Sequence, residues 1–235
     1  MYEFEKRISG IEKFSILDFP GKLSAILFYT GCNFTCPYCY NDLVVQNKMP
    51  LIESSSIKNF LRTRQNKLEG IVFSGGECTI HGNALLNDIK FCKNLGYKIK
   101  IDTNGTNPKI IKKAIEYNLV DYIALDFKTS LKNSKANMFF PNFALYNNFE
   151  ETLDYLIEIN FPFEARTTVH SDCIKEEDIN DIMEILHNKG YKGKYYIQFF
   201  FNTGSTLGNV SEVPEYFDKS KLIIPEGIEI EYRNE

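Results

Sequence analysis

The chain has 235 residues, 43% of them apolar and 14% aromatic, and a formal net charge of -4. That length fills one α/β domain or closed barrel, while the negative balance argues against a sequence-independent grip on nucleic acid, which depends on neutralising phosphates. No apolar run approaches the roughly 20 residues of a bilayer span, and Met1–Arg7 lacks the basic-then-apolar order of a signal peptide. These features predict a cytoplasmic protein with no membrane and no nucleic-acid partner. Its six cysteines then read as thiols or metal ligands rather than disulfides.

Taken in chain order, apolar or β-branched runs at Leu23–Thr30, Gly70–Phe73, Lys98–Asp102, Tyr122–Asp126, Phe163–Val169 and Tyr195–Phe200 predict six strands. Between them lie segments of helical period, such as Phe149, Leu153, Leu156 and Ile157, and Ile179, Ile182, Met183 and Leu186. Asn107-Pro108 supplies an N-cap and a first-turn proline, and Gly96 and Gly190 stand where helices end. Basic runs at Lys90–Lys100 and Lys109–Lys113 read as solvated helix faces. The polar, Asn-rich stretch Thr129–Asn148 reads as an excursion loop. Strands alternating with helices predict a parallel sheet, since each crossover returns the chain to the same end.

The chemistry-bearing residues follow the strands. Cys32, Cys36 and Cys39, in a C-x3-C-x2-C spacing, follow the first, and Ser74-Gly75-Gly76-Glu77-Cys78-Thr79 follows the second. Asp102-Thr103-Asn104-Gly105 follows the third, and Asp126-Phe127-Lys128 ends the fourth. Arg166-Thr167-Thr168 lies in the fifth strand and Gln198 near the end of the sixth. Polar groups thus collect at the C-terminal ends of the strands, the ligand-binding end of parallel α/β folds.

Each cluster has a plainer alternative. Structural zinc takes four ligands, and the fourth is absent near Cys39: Tyr40 follows it and the next cysteine is Cys78. Three thiolates on one tight loop instead suit three irons of a cubane cluster, the fourth iron being left open. Gly75-Gly76 and Asp102-Thr103-Asn104-Gly105 could be simple turns, and Asp126 with Lys128 a surface ion pair of little worth. Cys92 sits on an apolar helix stripe and reads as core. His81, His170 and His187 show no metal-ligand spacing.

With these residues in place, the sequence resembles the radical S-adenosylmethionine superfamily. Ser15-Ile16-Leu17-Asp18-Phe19-Pro20-Gly21-Lys22, Gly31-Cys32-Asn33-Phe34, Cys36-Pro37-Tyr38-Cys39-Tyr40-Asn41, Arg166-Thr167-Thr168-Val169, Tyr196-Ile197-Gln198-Phe199 and Thr203-Gly204-Ser205-Thr206 are similar to the activating proteins of anaerobic ribonucleoside-triphosphate reductases. The likeness runs from about Ile11 to Leu207. It departs at Tyr40, where related activases often have His, and at Cys78, where they often have Pro.

What the resemblance implies is an α/β fold, a partial (β/α)6 TIM-like barrel of parallel strands, formed by a single domain over residues 1–235 with its core at about 11–207 and a C-terminal extension at about 208–235. It implies a radical S-adenosylmethionine oxidoreductase, a glycyl-radical-enzyme activating enzyme. Such an enzyme reductively cleaves S-adenosyl-L-methionine at one [4Fe-4S] cluster and generates a glycyl radical on an anaerobic ribonucleotide reductase, with flavodoxin or ferredoxin as electron donor. Cys32, Cys36 and Cys39 would hold the cluster. Gly75, Gly76 and Glu77 would receive the methionine amino group, and Tyr38 with the backbone of Cys39 and Tyr40 would support the adenine. Asp126, Lys128 and Arg166 would hold the ribose and carboxylate end, and Thr103 and Gln198 would line the same cavity. No side chain is expected to act as catalytic acid or base, because the hydrogen-abstracting 5′-deoxyadenosyl radical comes from the cofactor. Alternatives are an activase of another glycyl-radical enzyme such as pyruvate formate-lyase, a small-molecule enzyme similar to 7-carboxy-7-deazaguanine synthase, or a non-catalytic iron–sulfur or zinc module that binds a partner.

Overall fold

A computed structural model describes Phe4 and residues 6–202 and 204–234. Met1–Glu3, Glu5, Thr203 and Glu235, which touch the signal-peptide reading, the Thr203–Thr206 run and the chain-end extension, lie outside the described residues. Among the described residues eight strands follow one another in sheet order as they do in sequence, β1 to β8, and the sheet is not closed. They are β1 Ile8–Ser15, β2 Ser24–Tyr29, β3 Gly70–Gly75, β4 Lys98–Thr103, β5 Tyr122–Asp126, β6 Phe163–Val169, β7 Lys194–Phe199 and β8 Glu229–Arg233. The helices are α1 Asp42–Val45, α2 Ser54–Thr63, α3 Asn83–Asn94, α4 Pro108–Glu116, α5 Phe143–Glu158 and α6 Glu176–Asn188. No helix of the described residues is long and apolar enough to cross a membrane.

All six expected strands are present as β2 to β7 within one or two residues. Two more frame them. β1 pairs antiparallel with β2 through a register that shifts twice, and β8 pairs parallel with β7. The C-terminal extension is therefore partly an added strand. The chain contacts cluster into two compact units.

In the first unit (residues 1–33, 43–103 and 107–123), parallel pairing joins β2 to β3 and β3 to β4. Ala25, Leu27, Ile71, Phe73, Ile99 and Ile101 are fully buried, as are Ile57 and Leu61 of α2, Leu85 and Ile89 of α3, and Ile111 and Ala114 of α4. Burying each of these leucine, isoleucine and phenylalanine side chains stabilises the fold by about 1.5–3 kcal/mol. Cys92 belongs to this core, as expected. Tyr29 donates to the buried Asp88 of α3 across 2.7 Å, which satisfies both polar groups where water is absent. Asn107 is the N-cap of α4 with Pro108 in its first turn, yet its side chain makes no cap bond; its amide donates instead to the Thr79 carbonyl at 2.8 Å.

In the second unit (residues 34–42, 104–106 and 124–235), β6, β7 and β8 pair in parallel. Phe149, Leu153 and Leu156 of α5 and Ile179, Ile182, Met183 and Leu186 of α6 are buried, the two stripes read from the sequence. The expected excursion loop is shorter than Thr129–Asn148. Asn142 caps α5 by accepting from the Leu145 amide at 3.2 Å, and the rings of Phe143, Tyr146 and Phe149 pack along its first two turns. A capping asparagine followed by an aromatic stripe at helical spacing overrides the polar composition. Gly96 and Gly190 take φ of 91° and 80° just after the C-cap residues Leu95 and Lys189 of α3 and α6, the left-handed position that glycine fills without strain.

Candidate cofactor site

The first unit presents the glycine turn. Gly75 ends β3 with φ 120°, and a Cβ there would fall on the backbone of Tyr29; one on Gly76 would fall on the Gly31 carbonyl oxygen. The amide of Gly76 donates to Tyr29 and that of Glu77 to Gly31, at 2.9 and 2.8 Å. The glycines therefore serve first to seat one strand end against the next, with Gly31 leading into Cys32. Beyond them Glu77 is almost wholly buried. Its carboxylate Oε1 accepts from the Thr79 amide at 3.0 Å, the Thr79 hydroxyl at 2.6 Å and the Thr103 hydroxyl at 2.7 Å. Glu77 and Thr103, expected to share a cavity, are thus directly bonded. Cys78 is fully buried, and its thiol donates to the carbonyls of Phe73 and Asp102 at 3.6 Å. Burial, with the nearby Glu77 and Asp102 carboxylates, pushes that thiol well above its ordinary range, so it stays neutral.

The second unit presents the rest of the cysteine loop. The Cys39 amide donates to the Cys36 carbonyl at 3.0 Å, folding both sulfurs into one turn. The segment after β7 clasps the loop from outside. Leu207 donates to the Cys39 carbonyl and Gly208 to the Pro37 carbonyl, both at 2.8 Å, and a Cβ on Gly208 would meet the Pro37 ring at 2.7 Å. Gly208 was missed by sequence reasoning; its signal was only its place just after the Thr203–Thr206 run.

Asp126, Lys128 and Arg166, which the resemblance groups at the ribose and carboxylate end, converge. Lys128 donates to Asp126 at 2.9 Å, and Arg166 Nε bonds the other carboxylate oxygen. Burial would raise the Asp126 pKa, but the two cations prevail and hold it at about 2. Burial opposes charge on Lys128 as well, and the Asp126 carboxylate keeps it protonated.

A cavity of about 400 Å³ is lined by Tyr38, Cys39, Tyr40 and Gln198 together with Asn41, Thr168 and Phe199 to Phe201. Four expected residues meet there. The aromatic run after Gln198 was visible in the sequence without being assigned to the site. The volume falls in the usual range for small-molecule sites. Tyr38 is 5% exposed, and its hydroxyl has no hydrogen-bond partner among the described residues. A buried hydroxyl left unbonded costs about 1–3 kcal/mol.

Burial pushes the Cys36 thiol up to about 12 and raises that of Cys39 too. Such thiols surrender protons only to a strong local cation, which an iron centre supplies. Three cysteines in this sequence spacing suit an iron–sulfur cluster. Among the described residues no three His, Cys, Asp or Glu side chains form a group that could hold a metal ion, so the ligand set rests on spacing and thiol chemistry. The histidines have other work: His81 bonds the Thr30 carbonyl, His170 that of Ser211 and His187 that of Glu226.

Comparison with known proteins agrees with this chemistry. Residues 26–188 match the family described as the Radical SAM superfamily. A Methanocaldococcus jannaschii protein, provisionally named a glycyl-radical enzyme activating enzyme, is 35% identical over 184 residues, covering 76% of this chain and 75% of its own length. The pyruvate formate-lyase-activating enzyme of Clostridium pasteurianum is 29% identical over 127 residues, 52% of each chain. Among solved structures, anSMEcpe with bound AdoMet aligns at a TM-score of 0.55 with 18% identity, over 73% of this chain and 49% of that one. Streptococcus suis SuiB bound to S-adenosylmethionine aligns at 0.55 with 13% identity, over 76% and 41%. The chain thus spans about half the length, or less, of these two solved structures, and the likeness to them is one of fold.

Proposed function

The chain belongs to the radical SAM superfamily, as a homologue of glycyl-radical enzyme activating enzymes, and on that premise we propose that it activates an anaerobic ribonucleoside-triphosphate reductase by generating a glycyl radical. One observation carries the cofactor part of this reading. A cavity of about 400 Å³ is walled by Tyr38, Cys39 and Tyr40 of the C-x3-C-x2-C loop together with Gln198, which leaves room for a small organic ligand beside that loop.

In this proposal Cys32, Cys36 and Cys39 hold a [4Fe-4S] cluster, and residues 1–235 act as one catalytic domain. The cluster and S-adenosyl-L-methionine supply one-electron reductive cleavage and hydrogen abstraction. The chain's own residues bind, orient and shield. Gly75, Gly76 and Glu77 receive the amino group, Glu77 being held by Thr79 and Thr103. Tyr38, Cys39 and Tyr40 take the adenine, with Gln198 in the same cavity. Lys128 and Arg166, tied to Asp126, hold the ribose and carboxylate end. The protein works in the cytoplasm with flavodoxin or ferredoxin as reductant.

The choice of a reductase rests on the likeness of the cysteine-loop and Arg166–Val169 sequences to its activases. The relative from Clostridium pasteurianum favours a second reading, activation of a pyruvate formate-lyase. Anaerobic reconstitution with iron and sulfide, then S-adenosylmethionine and dithionite, should yield 5′-deoxyadenosine. None would sink the enzymatic reading. Adding an anaerobic reductase should produce a glycyl-radical doublet by electron paramagnetic resonance. A doublet only with a pyruvate formate-lyase would select the second reading, and flavodoxin replacing dithionite tests the donor.

A further inference from the structure

The added strand β8 carries a basic residue into the charged row of the second unit. Arg233 lies opposite Gln198 in the β7–β8 register. Its two terminal nitrogens bond both oxygens of Glu164 at 3.1 and 3.0 Å, a fork-to-fork pair. Its guanidinium also lies 3.6 Å from the centroid of the Tyr196 ring, which fixes its plane. Glu164 is 1% exposed, and its Oε1 lies 3.9 Å from Nη1 of Arg166. Arg166 in turn bonds Asp126, which bonds Lys128. The row therefore runs Lys128, Asp126, Arg166, Glu164, Arg233 with alternating sign, and carries three cations against two anions.

From this arrangement we infer that Arg233 is a positioning residue for the cofactor. Its bidentate hold on Glu164 keeps that buried carboxylate from drawing Arg166 off Asp126. The inference rests on the reading that Asp126, Lys128 and Arg166 bind the carboxylate end of S-adenosylmethionine. A fully buried carboxylate stripped of its bidentate partner turns to a cation in reach, and Arg166 is 3.9 Å away. Nothing in the C-x3-C-x2-C loop or the glycine turn points to residue 233; only the pairing of β8 with β7 brings it here.

The test measures affinity for S-adenosylmethionine by equilibrium dialysis on anaerobically reconstituted full-length protein, with iron content and urea unfolding alongside. Arg233→Met should weaken binding about tenfold with unchanged iron. Adding Glu164→Gln to that variant should restore affinity to within about twofold, because the carboxylate that competes for Arg166 is gone. A merely structural Arg233 would not be rescued this way, and unrescued weak binding in a folded, iron-loaded double variant overturns the inference. So does undiminished binding by Arg233→Met. Should Arg233→Met not fold, Arg233→Lys, which keeps charge but loses the fork, should weaken binding about threefold, again with rescue by Glu164→Gln. Arg166→Met separates the two levels: undiminished binding there defeats the underlying cofactor reading, whereas lost binding with a normal Arg233→Met defeats only the role of Arg233.

Discussion

Thr103, at the end of β4, donates its hydroxyl across 2.7 Å to the buried carboxylate of Glu77 in the turn after β3. Two strand ends that are neighbours in the sheet are thereby joined through the one acidic side chain of the glycine turn. Thr103→Val should lower stability by about 1–3 kcal/mol and weaken S-adenosylmethionine binding. Urea unfolding and equilibrium dialysis read the two effects, and full stability in the variant would remove this bond from the account.

Gly76 and Gly96 make a matched pair. An alanine at 76 would drive Cβ into the Gly31 carbonyl, whereas at 96, with φ 91°, nothing stands within 4 Å. Gly76→Ala should cost about 3 kcal/mol or more, with loss of bound iron as the Gly31–Cys32 turn is displaced. Gly96→Ala should cost about 1 kcal/mol from its backbone angle alone. Equal thermal shifts in the two variants would contradict the close approach.

The cysteines should divide by role. Cys36→Ala should lose the intact cluster and 5′-deoxyadenosine formation. Cys78→Ala should keep its iron and lose about 1–2 kcal/mol of stability, because its thiol is buried and bonded to the Phe73 and Asp102 carbonyls. Iron analysis of the two proteins decides it, and a clear fall in iron for Cys78→Ala would defeat this division.

Asp121 ties α3 to β4. Its carboxylate takes Lys98 at 2.8 Å, Lys93 at 2.9 Å and the Ile99 amide at 2.8 Å. Burial works to raise its pKa, but these donors outweigh it and hold the carboxyl below the ordinary value. A depressed pKa in the folded state means stability present at neutral pH and lost as pH falls from about 4 through the folded value. Asp121→Asn should therefore be about 1 kcal/mol less stable at pH 7, and that deficit should shrink at pH 3. A deficit independent of pH would show that charge is not its cause.

Much of the site was legible because its signals are local. The spacing of Cys32, Cys36 and Cys39, the Gly75-Gly76-Glu77 turn and the placement of Asp126 and Lys128 two residues apart are each confined to a few neighbouring residues. The β2–β7 runs showed for the same reason: each buried strand concentrates its apolar residues in one short segment. β1 stayed hidden because Glu12, Lys13 and Phe14 are exposed along it, and β8 because its run Glu229–Arg233 holds no fully buried residue.

By itself, then, the sequence determined the α/β alternation, the cluster-type cysteine spacing and the superfamily, since local pattern sets element type and ligand spacing. Only the tertiary structure decided what those residues bond to. It gave Glu77 to Thr79 and Thr103, set Gly76 against Gly31 rather than open space, put Leu207 and Gly208 on the cysteine loop, and brought Arg233 to Glu164, 69 positions away. Such partners are chosen by strand order and by the need to pair every buried charge and polar group, and neither is written in the neighbourhood of any single residue.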